Sequence, residues 1–172
     1  MSIINYQKDG AIGIVELDDQ GALNALTPEG VADLRKVLKT CQDDVDVRVI
    51  IITGAGDKAF CAGANLKRTF PPEQSFAKGA LSSKTIDAEN GGYTRLMDLS
   101  DLLIWKPMIA AVNGYCLGGG LELAMQCDLR IASSKASFAL PEVKVGSVPA
   151  AGGVQALIRA IPSAYAMKLA LT

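Results

Sequence analysis

Two stretches of this chain stay apolar for four or five residues and then break into glycine. They are Val49-Ile50-Ile51-Ile52 ahead of Gly54-Ala55-Gly56, and Met108-Ile109-Ala110-Ala111-Val112 ahead of Asn113-Gly114. Runs of this length bounded by turn residues fit strands buried on both faces. A helical pattern lies between them and the N-terminus: Thr27-Pro28 marks a helix start, and Val31, Leu34, Leu38 and Cys41 then recur on one face. Strands alternating with helices indicate an α/β fold.

The rest of the chain extends the pattern. Residues 12–17 alternate as a strand after the turn signal Lys8-Asp9-Gly10, predicting a hairpin with residues 2–7. Residues 67–92 are polar, hold Pro71-Pro72 and Gly91-Gly92, and read as an excursion over the surface, followed by a helix over 94–103. Gly118-Gly119-Gly120 opens a short helix carrying Leu121, Leu123, Ala124 and Cys127. Strands are predicted at 129–132 and 137–140, and helices at 154–160 and 163–171. With 172 residues the expectation is one domain, 1–172, with a substantial core.

Composition narrows the chemistry. Lys and Arg total 17 against 18 for Asp and Glu, so no basic excess points to nucleic acid or to a membrane surface. No apolar run approaches the ~18 residues of a membrane span, and the N-terminus lacks a basic region followed by an apolar core, so a cytoplasmic protein is expected. The chain contains no histidine, and its cysteines, Cys41, Cys61, Cys116 and Cys127, form no Cys-x-x-Cys pair. A zinc site and the histidine-dependent nucleophile pairs are thereby disfavoured. Acid–base work near neutral pH falls to carboxylates, Lys, Tyr or Cys.

Two small-residue segments, Phe60-Cys61-Ala62-Gly63-Ala64 and Gly118-Gly119-Gly120, allow backbone amides to approach a ligand closely. One amide from each could grip a single developing oxyanion, a contribution of roughly 3 kcal/mol per donor. An isolated glycine cluster reads more readily as a plain tight turn or close packing. Gly54-Ala55-Gly56-Asp57-Lys58-Ala59 also fits a loose dinucleotide pattern, but the residues after it do not continue as an amphipathic helix. Glu122 falls in the first turn of the glycine-led helix, whose field favours its ionised form. Glu142 follows Pro141, and the intervening helix and strand are long enough to return it beside Glu122. Two carboxylates at one small ligand push their proton affinities apart. Either glutamate alone reads more readily as a solvated helix end or a loop charge.

Taken together, these segments resemble the crotonase family, and specifically its enoyl-CoA hydratases. The resemblance rests on Ala22-Leu23-Asn24-Ala25-Leu26, Ala59 through Leu66, Asn113 through Ala124, and Phe138-Ala139-Leu140-Pro141-Glu142 followed by Gly146 and Pro149 through Gly153. It implies a ClpP-like spiral of repeated β-β-α units and reversible syn addition of water to a 2-enoyl-CoA, as in β-oxidation. Ala64 and Gly119 would supply the oxyanion amides, Glu122 the base and Glu142 the acid. Ala22, Leu23, Ala25, Ala62, Asn65, Leu66 and Lys67 would contact CoA, and the Ala150 amide would position water. Coenzyme A is then part of the substrate, and no separate cofactor or metal is expected.

Asn65, Gly21 and Ala150 depart from the aspartate, lysine and glycine common at these places in the family. Carnitinyl-CoA dehydratase, enoyl-CoA isomerase and a non-catalytic acyl-CoA-binding role stay open alongside hydration. The resemblance further implies trimers or dimers of trimers, built in the family by a C-terminal helical region. The present sequence stops at Thr172, so that region is expected to be lacking and apolar surface to be exposed.

Overall fold

The computed structural model describes residues 2–69 and 97–172. Most of the predicted excursion and the start of the predicted 94–103 helix lie outside these residues. Strand β1 (Ile4–Asp9) turns back antiparallel onto β2 (Ile12–Leu17), as the hairpin signal required. Helix α1 (Pro28–Asp43) begins where Thr27 accepts the Gly30 N–H on its hydroxyl at 3.0 Å. It buries Val31, Leu34, Leu38 and Cys41, the positions its spacing marked.

From there the chain repeats one pass. Strand β3 (Val49–Gly54) leads to β4 (Ala59–Cys61) and the single-turn helix α2 (Leu66–Thr69). Strand β5 (Met108–Val112) leads to β6 (Tyr115–Leu117) and helix α3 (Gly119–Met125). Strand β7 (Leu129–Ala132) leads to β8 (Ser137–Ala139), a 3-10 turn (Pro141–Val145), and helices α4 (Gly153–Ala160) and α5 (Ser163–Leu171).

In each pass the first strand joins a large sheet, ordered β1-β2-β3-β5-β7, and the second joins a small one, ordered β4-β6-β8. Apart from the β1–β2 hairpin, all of this pairing is parallel. A chain that adds one strand to each of two sheets per pass advances as a spiral of β-β-α units. That is the α/β architecture the resemblance implied.

Three expectations change. Strands β4 and β6 stand where glycine turns were read, because three residues among alanines and glycines carry no periodic signal. Like β5, where Ile109 and Ala111 are only partly buried, strand β3 is not buried on both faces: Ile50 and Ile52 are fully buried, but Val49, Ile51 and Thr53 are only partly so. Its β-branched residues suit a half-covered pleated surface as well as a fully buried one. The described part of the 94–103 helix is instead a 3-10 turn, Ser100–Leu102, ended by Leu103 at φ 49°. Here the Asp98 carboxylate accepts the Ser100 N–H at 3.0 Å, and Gln126 Oε1 accepts that of Leu99 at 2.7 Å, so side chains take the bonds a helix would need.

Successive passes meet backbone on backbone. A β-carbon added to Gly120 would lie 2.1 Å from the Cys61 carbonyl oxygen, and one added to Gly114 the same 2.1 Å from that of Lys58. Neither obstacle is a side chain that could swing away. Gly120→Ala is therefore expected to lower unfolding free energy by about 3 kcal/mol or more, beyond ordinary overpacking. Urea denaturation of the two proteins checks this, and a variant within about 0.5 kcal/mol of the parent, as surface changes usually are, would contradict the packing described.

Candidate active site

Residues 22–26 are laced to the end of β4. Leu23 and Asn24 both adopt the left-handed region, at φ 55° and 57°, which side chains other than glycine enter at a cost of ~1–2 kcal/mol each. Asn24 repays part of this: its Nδ2 donates to Ala55 O at 3.0 Å and Ala59 O at 2.8 Å, and its Oδ1 accepts the Asp19 N–H at 3.0 Å. The Ala62 N–H then donates to Leu23 O at 3.0 Å, and the Leu26 N–H to Gly63 O at 2.8 Å. Sequence reading gave Asn24 no role. A lone asparagine inside the apolar segment 22–26 was the available signal, and the structure buries it.

This lacing presents the Ala64 amide to α3. Gly63, at φ 94°, comes so close to the next pass that a β-carbon there would stand 3.0 Å from Gly119 N. A β-carbon on Gly119 would in turn stand 3.6 Å from Ala64 N. Neither amide donates a hydrogen bond to another described residue. Both residues line one cavity of about 210 Å³, together with Ala62, Leu66, Glu122 and Glu142.

Glu122 enters from α3 and is 5% exposed. Its Oε1 accepts the Ala151 N–H at 2.8 Å and the Gly153 N–H at 2.9 Å. Helix α4 has Gly152 as its N-cap, with no side-chain cap bond of its own, so Glu122 caps it from another element. Gly153 has to lack a side chain, since its β-carbon would fall 2.7 Å from Glu122 Cγ. The sequence pointed to Ala150 in this loop; the amides that hold Glu122 are those one and three residues further on. Ala150 does line the cavity.

Burial raises the Glu122 carboxyl above its ordinary value, against the pull of the Gly153 and Ala151 amides. The direction is opposite to the one expected from the α3 field, because burial removes the water that would solvate the ionised form. Glu142 lies in the 3-10 turn after β8. Burial raises its carboxyl first, its own backbone amide lowers it, and the neighbouring charge of Glu122 raises it further. Its Oε2 is buried with no partner among the described residues, while Oε1 stands 2.8 Å from where a Gly118 β-carbon would lie.

The other predicted contacts divide. Ala62, Leu66 and Ala150 line the glutamate cavity, whereas Leu23 lines a separate one of about 90 Å³ beside Gln20 and Lys58. Ala22, Ala25, Asn65 and Lys67 line neither. The segment that matched a dinucleotide pattern runs into strand β4, not into a helix. Among the described residues no helix is long and apolar enough to cross a membrane.

The raised carboxyl has a stability consequence. A carboxyl whose folded value exceeds its unfolded one binds more protons when folded, so its contribution is full at acid pH and is lost as pH rises through that window. Glu122→Gln keeps an oxygen for the two amides and removes the buried charge. The variant should unfold at higher denaturant than the parent at neutral pH, with the gap closing below pH 4. An equal gap at both pH values would contradict burial as the cause.

Comparison with known proteins shows the family of the chain. Residues 7–172 match the family described as enoyl-CoA hydratase/isomerase. The chain is 45% identical to an (E)-benzylidenesuccinyl-CoA hydratase of Thauera aromatica over 98% of its own length and 62% of the relative's. It is 41% identical to a carnitinyl-CoA dehydratase of Proteus mirabilis, over 90% of this chain and 55% of that one. The crystal structure of an enoyl-CoA hydratase from Bacillus anthracis superposes with a TM-score of 0.82 at 34% identity, covering 98% of this chain and 62% of the other. The chain thus spans about three fifths of these relatives' length and belongs to the enoyl-CoA hydratase/isomerase family.

Proposed function

We propose that this chain carries the site for reversible syn addition of water to a 2-enoyl-CoA, a carbon–oxygen lyase chemistry. The observation that carries the reading is one cavity lined by two glutamates and by the Ala64 and Gly119 backbone. The thioester oxygen would accept both amides. As water attacks the β-carbon, electrons move through the α-carbon into that oxygen, and the two donors favour the resulting enolate over the thioester.

Glu122, held by two amides on Oε1, is the base that takes the proton of the attacking water. Glu142 delivers a proton to the α-carbon, and the unpartnered, buried Oε2 suits a carboxyl that holds one. The proton gained by Glu122 and lost by Glu142 returns through solvent between turnovers, and the reverse sequence dehydrates a 3-hydroxyacyl-CoA. The Ala150 amide would steady the water. CoA would run along Ala22, Leu23, Ala25 and Ala62, with Asn65, Leu66 and Lys67 beyond. The exposed apolar side chains of β7, Leu129 and Ile131, support the self-association implied by the family resemblance.

Glu122→Gln and Glu142→Gln should each lower crotonyl-CoA hydration by about 10²–10⁴-fold while CoA-ester affinity changes little, since the backbone grip persists. Absorbance of the enoyl thioester follows turnover, and calorimetry follows binding. Parental turnover in either variant would overturn the assigned roles. Binding with no turnover by the parent chain would favour a non-catalytic acyl-CoA-binding role, and migration of the double bond without hydroxylation would favour an isomerase.

A further inference from the structure

Among the described residues that line the glutamate cavity, Lys144 is the one cation. The wall around it is apolar, with Val145 and Val148 beside it and Met97 and Leu66 elsewhere on the lining. Its place is fixed relative to Glu142: both lie in the 3-10 turn, where the Ser147 N–H closes onto Glu142 O at 3.0 Å. Yet Lys144 is not the counter-charge of Glu142. It makes no ion pair with a described residue, and what acts on the Glu142 carboxyl is burial, its own backbone and Glu122.

A neutral acyl chain would gain nothing from a cation on this wall, and the charge of an ionised Glu122 repels a further anion. An anionic acyl chain would need one. Lys144 stands on the Glu142 wall, whereas residues 22–26, the proposed CoA segment, are bridged to the Ala64 wall. The ammonium on its flexible four-carbon stem can follow a carboxylate at the open rim, where its side chain is exposed.

We propose that Lys144 receives a carboxylate borne by the acyl group, so that the preferred substrates are 2-enoyl-CoA thioesters with an acidic acyl chain. This rests on the hydratase reading above, and saturated esters separate the two. Calorimetric titration of the chain with glutaryl-CoA and with pentanoyl-CoA compares equal carbon counts with and without the carboxylate. The acidic ester should bind roughly fivefold more tightly, about what one partly exposed ion pair supplies. Lys144→Met should bring the ratio of affinities to one, and Lys144→Arg should retain it.

Equal affinity of the parent for both esters would overturn the assignment. So would a Lys144→Met variant that weakens both equally, which would put the lysine on the CoA phosphates. If the chain shows the preference but never hydrates an enoyl-CoA, the hydration reading falls and the assignment of Lys144 is supported.

Discussion

Gly114 and Gly120 let one pass of the spiral rest directly on the carbonyls of the pass before it, at Lys58 and Cys61, with no space for a β-carbon on either. Ordinary strand and helix contacts are kept apart by side chains; here main chain meets main chain. The distance between Ala64 and Gly119 is thereby set by covalent geometry and sheet pairing, which do not change rotamer. The two amides proposed to grip one oxygen need that fixity, because a donor that must reorganise during reaction loses much of its value.

Glu122 depends on the same contact, since α3 starts at the glycines that make it. The carboxylate then serves two elements, supplying charge to the cavity and capping α4 through Ala151 and Gly153. Its burial works against stability at neutral pH, and the amides offset part of that. A site residue that strains the fold while ordering a neighbouring helix is a common compromise between stability and activity. Glu142 is held more loosely, by a turn, with no donor among the described residues on its buried Oε2. The difference in restraint parallels the difference in the roles proposed, one group fixed to activate water and the other free to pass a proton.

Much of this was legible in the residues. The β-branched run before Gly54, the one-sided helix after Thr27 and the helix following three glycines all appear where their patterns placed them. So do the glutamates, brought to one cavity by the intervening helix and strand. What escaped were features with no periodic signature. Strands β4 and β6 are three residues each among alanines and glycines, so of the second sheet only β8 was read, although that sheet aligns Ala64 with Gly119. The Asn24 bonds and the amide pair on Glu122 join residues up to 35 apart in the chain and follow from three-dimensional packing alone. The sign of the Glu122 shift was missed for the same reason: helix field is readable from position, and burial is not.

The central claim is that one face of an enoyl thioester meets both glutamates while its oxygen sits between two amides. Hydration of crotonyl-CoA in heavy water, with the product examined by NMR, tests this directly. A single deuterium at the α-carbon, on the same face as the new β-hydroxyl, is the result predicted. Deuterium on both faces, or a hydroxyl and deuterium on opposite faces, would contradict an arrangement in which Glu122 and Glu142 share one side of the substrate.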